Sequence, residues 1–206
     1  VFLIPYVSGT QGKDFDKKKI VSFFDVGIDS KLSLGSGLTL DLTLNPDFSQ
    51  VEVDDQIINL SRFEVRLPEK RQFFLQNSDL FSSFGSSYNA QPFFSRRIGV
   101  AKDLEGNNIQ NRIIAGARLS GKINKNLRLG LLNMVTDSDP KNKISSNNNT
   151  VLAVQQKLFS RSFLGAFFLN REKIGEDEFT NDQEDFNRVL GVDYNLQSED
   201  NKWVGK

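Results

Sequence analysis

The sequence lacks two residue types that carry much of protein chemistry, since its 206 residues include no cysteine and no histidine. The absence of cysteine excludes disulfides, thiolate metal sites and cysteine nucleophiles within this chain. The absence of histidine removes the commonest general base and metal ligand, so a Ser-His-Asp triad and a histidine-based zinc site are excluded too. No cofactor, metal site or catalytic residue is predicted for this chain.

The sequence also lacks a net charge and a long apolar run. Its 26 basic and 26 acidic residues balance, so charge does not favour nucleic acid as a partner. No segment approaches the roughly 18 consecutive apolar residues of a membrane-spanning helix. The mean hydropathy of -0.39 is compatible with a membrane β-barrel, in which lipid-facing apolar residues alternate with polar residues facing the lumen.

What the sequence does contain is regular alternation of apolar and polar residues. Leucines occupy every second position from Leu38 to Leu44, and polar residues stand between them. Together with the glycine-rich turn at 35–37, this pattern predicts a β-hairpin with one apolar and one polar face. The same alternation recurs further along the chain, at 113–131, 151–172 and 186–196.

Short turns and long polar connections alternate between these predicted strands. The short turns lie near 35–37, 124–126 and 159–162, and the long connections lie near 102–111, 136–150 and 173–184. This asymmetry is typical of outer-membrane barrels, which have short turns on one rim and long loops on the other. The predicted fold is an all-β antiparallel meander of hairpins, as part of an outer-membrane β-barrel. A soluble β-sandwich stays open, because alternation alone does not separate the two.

The stretch at about 46–99 interrupts the alternation. Pro46, Pro68 and Pro92 each remove a backbone donor that a regular sheet needs, and a strand start is predicted only at 92–99. We predict that 46–99 is an irregular plug-like or rim-like insertion within a single β domain over 1–206. Both ends of the chain resemble cut strands, so the domain is expected to be a fragment of a longer barrel.

Five strings in this part of the chain resemble the DUF5916 family: LDLTLNPDFSQVE (40–52), NLSRFE (59–64), PEKR (68–71), FFL (73–75) and FSRRIG (94–99). The sequence departs from the family pattern at Val53, Asp55, Gln56, Arg66, Leu67 and Gln72. The resemblance implies large surface proteins, mainly of Bacteroidetes-type bacteria. In these proteins an N-terminal domain similar to family 9 carbohydrate-binding modules often accompanies an outer-membrane β-barrel. It implies no biochemical activity for the barrel itself.

The insertion also holds the candidate site residues, beginning with an acidic cluster of Asp47, Glu52, Asp54 and Asp55. One hypothesis is an oxygen-ligand site for calcium, but the spacing does not match an EF-hand loop. The favoured interpretation is charge pairing with nearby basic residues such as Arg62. Glu64 and Glu69 are a carboxylate pair of the kind that glycosidases use, although the sequence does not fix their separation.

The second group of candidates is a predicted structural latch. Glu69, Lys70 and Arg71 precede Phe73 and Phe74, so that charged groups would form ion pairs while the phenylalanines occupy an apolar pocket. Arg96 and Arg97 would face acidic groups or bind an anionic headgroup or substrate.

The favoured function is a non-enzymatic segment of a bacterial outer-membrane β-barrel, with a transport, docking or assembly role at the cell surface. The expected partners are outer-membrane lipid and, through a domain outside this chain, glycans or other surface proteins. Two alternatives stay open. One is a soluble or periplasmic β-sandwich that binds carbohydrate or protein, and the other is part of a surface enzyme that acts on glycosides.

Overall fold

The structure, a computed structural model, describes residues 1–14, 19–46, 68–85, 91–175 and 185–206. Strands dominate it: β1 (Phe2–Asp14), β2 (Lys19–Leu34), β3 (Leu38–Leu44), β4 (Val100–Lys102), β5 (Asn108–Gln110), β6 (Ile113–Lys122), β7 (Leu127–Thr136), β8 (Asn147–Lys157), β9 (Phe163–Lys173), β10 (Phe186–Gln197) and β11 (Val204–Gly205). Two short helices, α1 (Gln72–Leu75) and α2 (Asp79–Ser82), and a 3₁₀ turn at Ser95–Arg97 lie between β3 and β4.

Nine of these strands form one antiparallel sheet, in the order β1-β2-β3-β6-β7-β8-β9-β10-β11, while β4 and β5 pair separately. Each strand of the large sheet pairs with the next along the chain, except that β3 pairs with β6 across the insertion. The prediction of an all-β antiparallel meander of hairpins is therefore confirmed. Within the described residues no pairing joins β1 to β11, so this part of the sheet is open.

The predicted hairpins are present, but one is longer than expected. A loop was predicted over 136–150, and its predicted end is wrong because β8 already begins at Asn147. The Asn133 side chain donates hydrogen bonds to the side chains of Asn148 and Thr150, at 2.7 and 2.9 Å. Side-chain amides thus extend the strand pair through a polar stretch of low strand propensity.

The chain before β6 also differs from expectation. The strand start predicted at 92–99 is instead the 3₁₀ turn Ser95–Arg97. The polar loop predicted at 102–111 contains the small β4–β5 hairpin, whose turn has Gly106 at a φ of +87°. The Asp103 carboxylate accepts backbone hydrogen bonds from Glu105 and Asn107, which stabilises this turn.

Within the described residues, no helix has the length and apolar character needed to cross a membrane.

The sheet register aligns one apolar side chain from each of seven neighbouring strands. From β2 to β10 this row consists of Leu32, Leu40, Leu119, Leu131, Leu152, Phe168 and Leu190. Leu131, Leu152 and Leu190 are 39%, 38% and 78% exposed. We call this side of the sheet the apolar face.

The opposite side, which we call the covered face, buries polar residues. Thr43, Arg118 and Ser120 are at most 1% exposed there. Towards β7, β8 and β9 the same face becomes apolar and packs against side chains from the chain between β3 and β4. The buried cluster that results consists of Phe74, Leu80, Phe81, Phe84, Ile98, Ile113, Leu132, Met134, Val151, Ala153 and Phe167. The sheet thus buries one face, which is charged and polar at β3 and β6 and apolar at β7, β8 and β9, and it leaves leucines of the other face exposed.

Glycines on the covered face leave room for aromatic rings. A Cβ atom built on Gly130 would lie 2.8 Å from the Phe81 ring, and one on Gly165 would lie 3.0 Å from the Phe84 ring. Phe84 in turn contacts Phe167, with ring centres 4.5 Å apart. The rings of Phe81 and Phe84 therefore lie directly on the strand backbone, which a residue larger than glycine at 130 or 165 would prevent.

We predict that Gly130→Ala lowers the free energy of unfolding by about 1–3 kcal/mol, because the added methyl group overpacks the Phe81 ring. Urea unfolding followed by circular dichroism measures this loss. Gly12→Ala is the control, since a Cβ there meets nothing within 4 Å. Phe81→Leu should cost less in the Gly130→Ala background than in the wild type. Additive effects of the two substitutions would contradict the predicted contact.

Candidate functional site

The chain that packs on the covered face, residues 68–85 and 91–99, is called the cover segment here. Its helices α1 and α2 have four residues each, and neither has a side-chain cap at its N-terminus. Asn77, with a φ of 50°, turns the chain between them. Helices this short have little intrinsic stability, so contacts with the sheet and within the segment must hold them in place.

Arg71 joins the beginning of the cover segment to its end. Its Nε and Nη2 atoms donate to the two carboxylate oxygens of Glu69, both at 2.8 Å. Nη1 donates to the carbonyl of Ile98 at 2.8 Å, and Nη2 donates to the carbonyl of Ser95 at 2.7 Å. The guanidinium carbon lies 4.2 Å from the centre of the Phe74 ring. Arg71 is only 7% exposed, so this bidentate ion pair is largely removed from water.

Glu69 receives further donors besides Arg71. The Ser95 hydroxyl donates to Oε2 at 2.6 Å, and the Lys70 and Arg71 backbone N–H groups donate to Oε1 at 3.1 and 3.0 Å. Burial raises the pKa of Glu69, but the hydrogen bonds and charge of Arg71, with the Ser95 hydroxyl, outweigh burial and hold the net pKa below its ordinary value. Glu69 is therefore ionised at neutral pH, which suits an ion pair better than a general acid.

A second buried arginine joins the cover segment to the sheet. Arg118 on β6 donates through Nη2 and Nε to Asp41 on β3, at 2.7 and 3.2 Å. Its Nη1 donates to the backbone carbonyl of Gln76, at 2.9 Å. Lys31 on β2 lies 3.5 Å from the other Asp41 oxygen and also donates to the Gln76 side chain. Three strands and the turn after α1 therefore meet at one charged cluster.

Two more polar contacts hold the region around α2. Arg128 on β7 donates to both carboxylate oxygens of Asp79, at 2.6 and 3.1 Å. The Asn77 side chain donates to the Ser120 hydroxyl at 3.1 Å. With the phenylalanine contacts, these pairs fix the cover segment over β6, β7 and β8.

Several predicted site residues lie outside the described residues: Asp47, Glu52, Asp54, Arg62 and Glu64. The acidic residues of the calcium-site hypothesis lie outside them, and so does Glu64 of the Glu64–Glu69 carboxylate pair. Among the residues that the structure does describe, no group of three or more acidic side chains is placed to hold a metal ion.

The remaining predicted residues belong to the cover segment. Glu69, Arg71, Phe73 and Phe74 come together, and the Phe73 and Phe74 rings meet edge to face with centres 5.3 Å apart. Arg71 pairs with Glu69 of its own segment. Lys70 is exposed, while half-buried Arg96 and exposed Arg97 form the 3₁₀ turn with Ser95.

The pairs Asp41–Arg118 and Asp79–Arg128 are parts of the site that the sequence patterns did not predict. A signal for the first pair was present, because both residues occupy the polar side of a strongly alternating strand. Their partnership depends on β3 pairing with β6 across the insertion, and neither strand's own pattern specifies that register.

Comparison with known proteins identifies a family. The family model described as a domain of unknown function (DUF5916) matches residues 1–159. No curated protein and no solved structure gives a significant match. The matched region includes β1 to β8 and the cover segment. The Glu69–Arg71 pair and the Asp41–Arg118 cluster therefore both lie within it.

We predict that Arg71→Ala lowers the free energy of unfolding by about 3–5 kcal/mol, because it leaves the Glu69 carboxylate partly buried without its partner. Arg112→Ala is a matched control, since Arg112 is 59% exposed and lies 3.9 Å from Asp137. The control should lose less than about 1 kcal/mol. Glu69→Gln in the Arg71→Ala background should recover part of the loss. Equal losses in the two arginine variants would contradict the role of Arg71.

The Glu69 pair also predicts a dependence of stability on pH. The folded pKa lies below the ordinary value of 4.5, so the stabilisation by Glu69 is complete above about pH 4.5 and is lost as pH falls through the folded pKa. Unfolding free energies of the wild type and Glu69→Gln should therefore differ most near pH 7 and converge at lower pH. Urea titrations at several pH values test this. A difference that stays constant down to pH 3 would be inconsistent with a lowered pKa of Glu69 in the folded state.

Proposed function

The chain belongs to the DUF5916 family, and from the two faces of its sheet we propose that it forms part of an outer-membrane β-barrel. In this proposal its role at the cell surface is non-enzymatic. The apolar face contacts lipid, and the covered face points to the barrel interior.

The observation that carries the proposal is the apolar row from Leu32 to Leu190. It crosses seven strands in direct register; Leu131, Leu152 and Leu190 are exposed, and the other four side chains are half-buried. Water-soluble monomers rarely expose a continuous apolar surface of this extent, and such surfaces mark protein or membrane contacts. A lipid bilayer removes the cost of exposing them.

The charges on the covered face support the same orientation. Asp41 and Arg118 are buried beneath the cover segment and are paired with each other. Such pairs are tolerated in the interior of a barrel, whereas a charge on the bilayer side of a strand is destabilising near the membrane midplane. The proposal therefore accounts for both faces with one arrangement.

The lengths of the connections between strands also support the barrel proposal. The reversals at 35–37, 123–126 and 158–162 share one rim of the sheet, and the longer connections at 45–112 and 137–146 share the other. In outer-membrane barrels the short turns face the periplasm and the long loops face outward. On this basis, the long-loop rim would meet glycans or surface proteins.

Among transport, docking and assembly, the cover segment favours docking or assembly. Phe74, Leu80, Phe81 and Phe84 pack on the covered face at the place where an open barrel would hold water. A filled interior suits a rigid anchor for surface partners better than a path for free diffusion. The family resemblance to proteins that carry a carbohydrate-binding domain is consistent with this role.

We predict that Leu152→Arg lowers stability in a bilayer by about 2–4 kcal/mol, as expected for a charge on a lipid-facing strand near the membrane midplane. Leu104→Arg is the control, because Leu104 is 61% exposed in the turn between β4 and β5, outside the large sheet. The control should change stability by less than about 0.5 kcal/mol. Folding and unfolding in lipid vesicles, followed by circular dichroism, measures both variants.

The alternative of a soluble β-sandwich predicts a different behaviour without detergent. If the wild-type protein is folded and monomeric in plain buffer without detergent, the barrel proposal is wrong. Equal stability of the Leu152→Arg and Leu104→Arg variants in vesicles would contradict it independently.

A further inference from the structure

A basic pocket lies on the short-turn rim of the sheet, on the same side as the cover segment. Its volume is about 540 Å³, and its walls come from the β6–β7 and β8–β9 turns and the strand ends beside them. Five basic residues line it: Lys122, Lys125, Arg128, Lys157 and Arg161. In the described part of the chain, no carboxylate lines it.

The two arginines of the pocket, Arg128 and Arg161, differ in whether a carboxylate neutralises their charge. Arg128 is neutralised by Asp79, with which it forms a bidentate pair. Arg161 donates to neutral acceptors, the Asn201 side chain at 2.6 Å and the Glu199 backbone carbonyl at 3.5 Å. The Glu199 carboxylate accepts a hydrogen bond from Ser160, so one acid stands at the edge of the pocket.

The three lysines are not neutralised in this way. Among the described residues, no carboxylate lies within ion-pair distance of Lys122, Lys125 or Lys157. Lys122 and Lys157 stand at the ends of their strands, and Lys125 lies in the turn between β6 and β7. The chain as a whole has no net charge, so this excess of ammonium groups around one concavity is a local feature.

We propose that this pocket binds an oligovalent phosphate group, such as a polyphosphate or a phosphate-bearing headgroup. Unpaired ammonium groups converging on one concavity repel one another, and a bound anion removes that repulsion. Phosphate oxygens accept several charge-assisted hydrogen bonds at once, which fits a pocket lined by three lysines. The pocket volume lies within the usual range for small-ligand sites of roughly 300–1,000 Å³.

The neighbouring polar groups fit the same ligand. The side-chain amides of Asn126 and Gln155 line the pocket and can donate to further oxygens, and Phe163 supplies an apolar wall. Gln155 already accepts a hydrogen bond from Arg128 through its amide oxygen, at 3.1 Å, which leaves its NH₂ group for a ligand. The site is independent of the proposed function, because its residues would bind the same anion in a soluble protein.

The test uses the 206-residue chain in a non-ionic detergent, with tripolyphosphate as the probe and isothermal titration calorimetry as the measurement. Wild type should bind tripolyphosphate, and the affinity should fall as salt rises. The triple variant Lys122→Gln, Lys125→Gln, Lys157→Gln should bind roughly a hundredfold or more weakly, because each lost charged hydrogen bond costs about tenfold. Mixed micelles with phosphatidic acid, whose headgroup is a phosphomonoester with up to two negative charges, form a second arm. Competition by this lipid assigns the site to headgroups, and its absence assigns it to soluble phosphates.

The control variant has the same change in net charge at the opposite rim: Lys102→Gln, Lys141→Gln, Lys143→Gln. All three lysines are exposed on the long connections, and the variant should retain wild-type affinity. If the first triple variant does not fold, Lys125→Gln alone tests the site, because Lys125 lies in a turn and packs in no core. No binding by the wild type, equal loss in both triple variants, or undiminished binding by the pocket variant would overturn the proposal.

Discussion

Arg118 is the point on which the arrangement of the two faces depends. It is almost completely buried in the middle of the sheet, and a buried guanidinium is tolerated only when its donors are used. Asp41 on the neighbouring strand supplies the opposite charge, and the Gln76 carbonyl of the cover segment supplies a further acceptor. The cover segment is therefore needed to complete the hydrogen bonds of the sheet. Removing it would leave this charge facing either water or an empty interior.

The rest of the architecture follows from the way the cover segment buries one face of the sheet. The cover segment makes polar contacts with β2, β6 and β7 and packs on apolar residues of β7, β8 and β9, so the leucines on the other side of the sheet face outward. Glycines such as Gly130 let aromatic rings approach the strand backbone, so the cover segment packs closely although its helices are short. Arg71 closes the segment on itself through Glu69, Ser95 and Ile98. Polar pairing and aromatic packing thus act on the same surface, and neither depends on helix propensity.

Alternation predicted the hairpins because the period of two is a local property, as in Leu38–Leu44. It did not predict that β8 begins at Asn147, because asparagines are poor strand formers and only cross-strand amide contacts keep them there. Helix α1 was missed for a related reason, since four residues give no helical period and tertiary contacts decide their conformation. The Glu69–Arg71 pair was predictable from the sequence because its residues are separated by only one position. The Asp41–Arg118 pair required a strand register that no local pattern contains.

The central claim is that the apolar face contacts lipid, and depth-dependent quenching measures this directly. The single native tryptophan is replaced in a Trp203→Phe background, and a new one is introduced as Leu152→Trp or Leu104→Trp. In vesicles of lipids brominated on their acyl chains, the account predicts strong quenching of the fluorescence at position 152 and little quenching at position 104. Equal, weak quenching at both positions would contradict it.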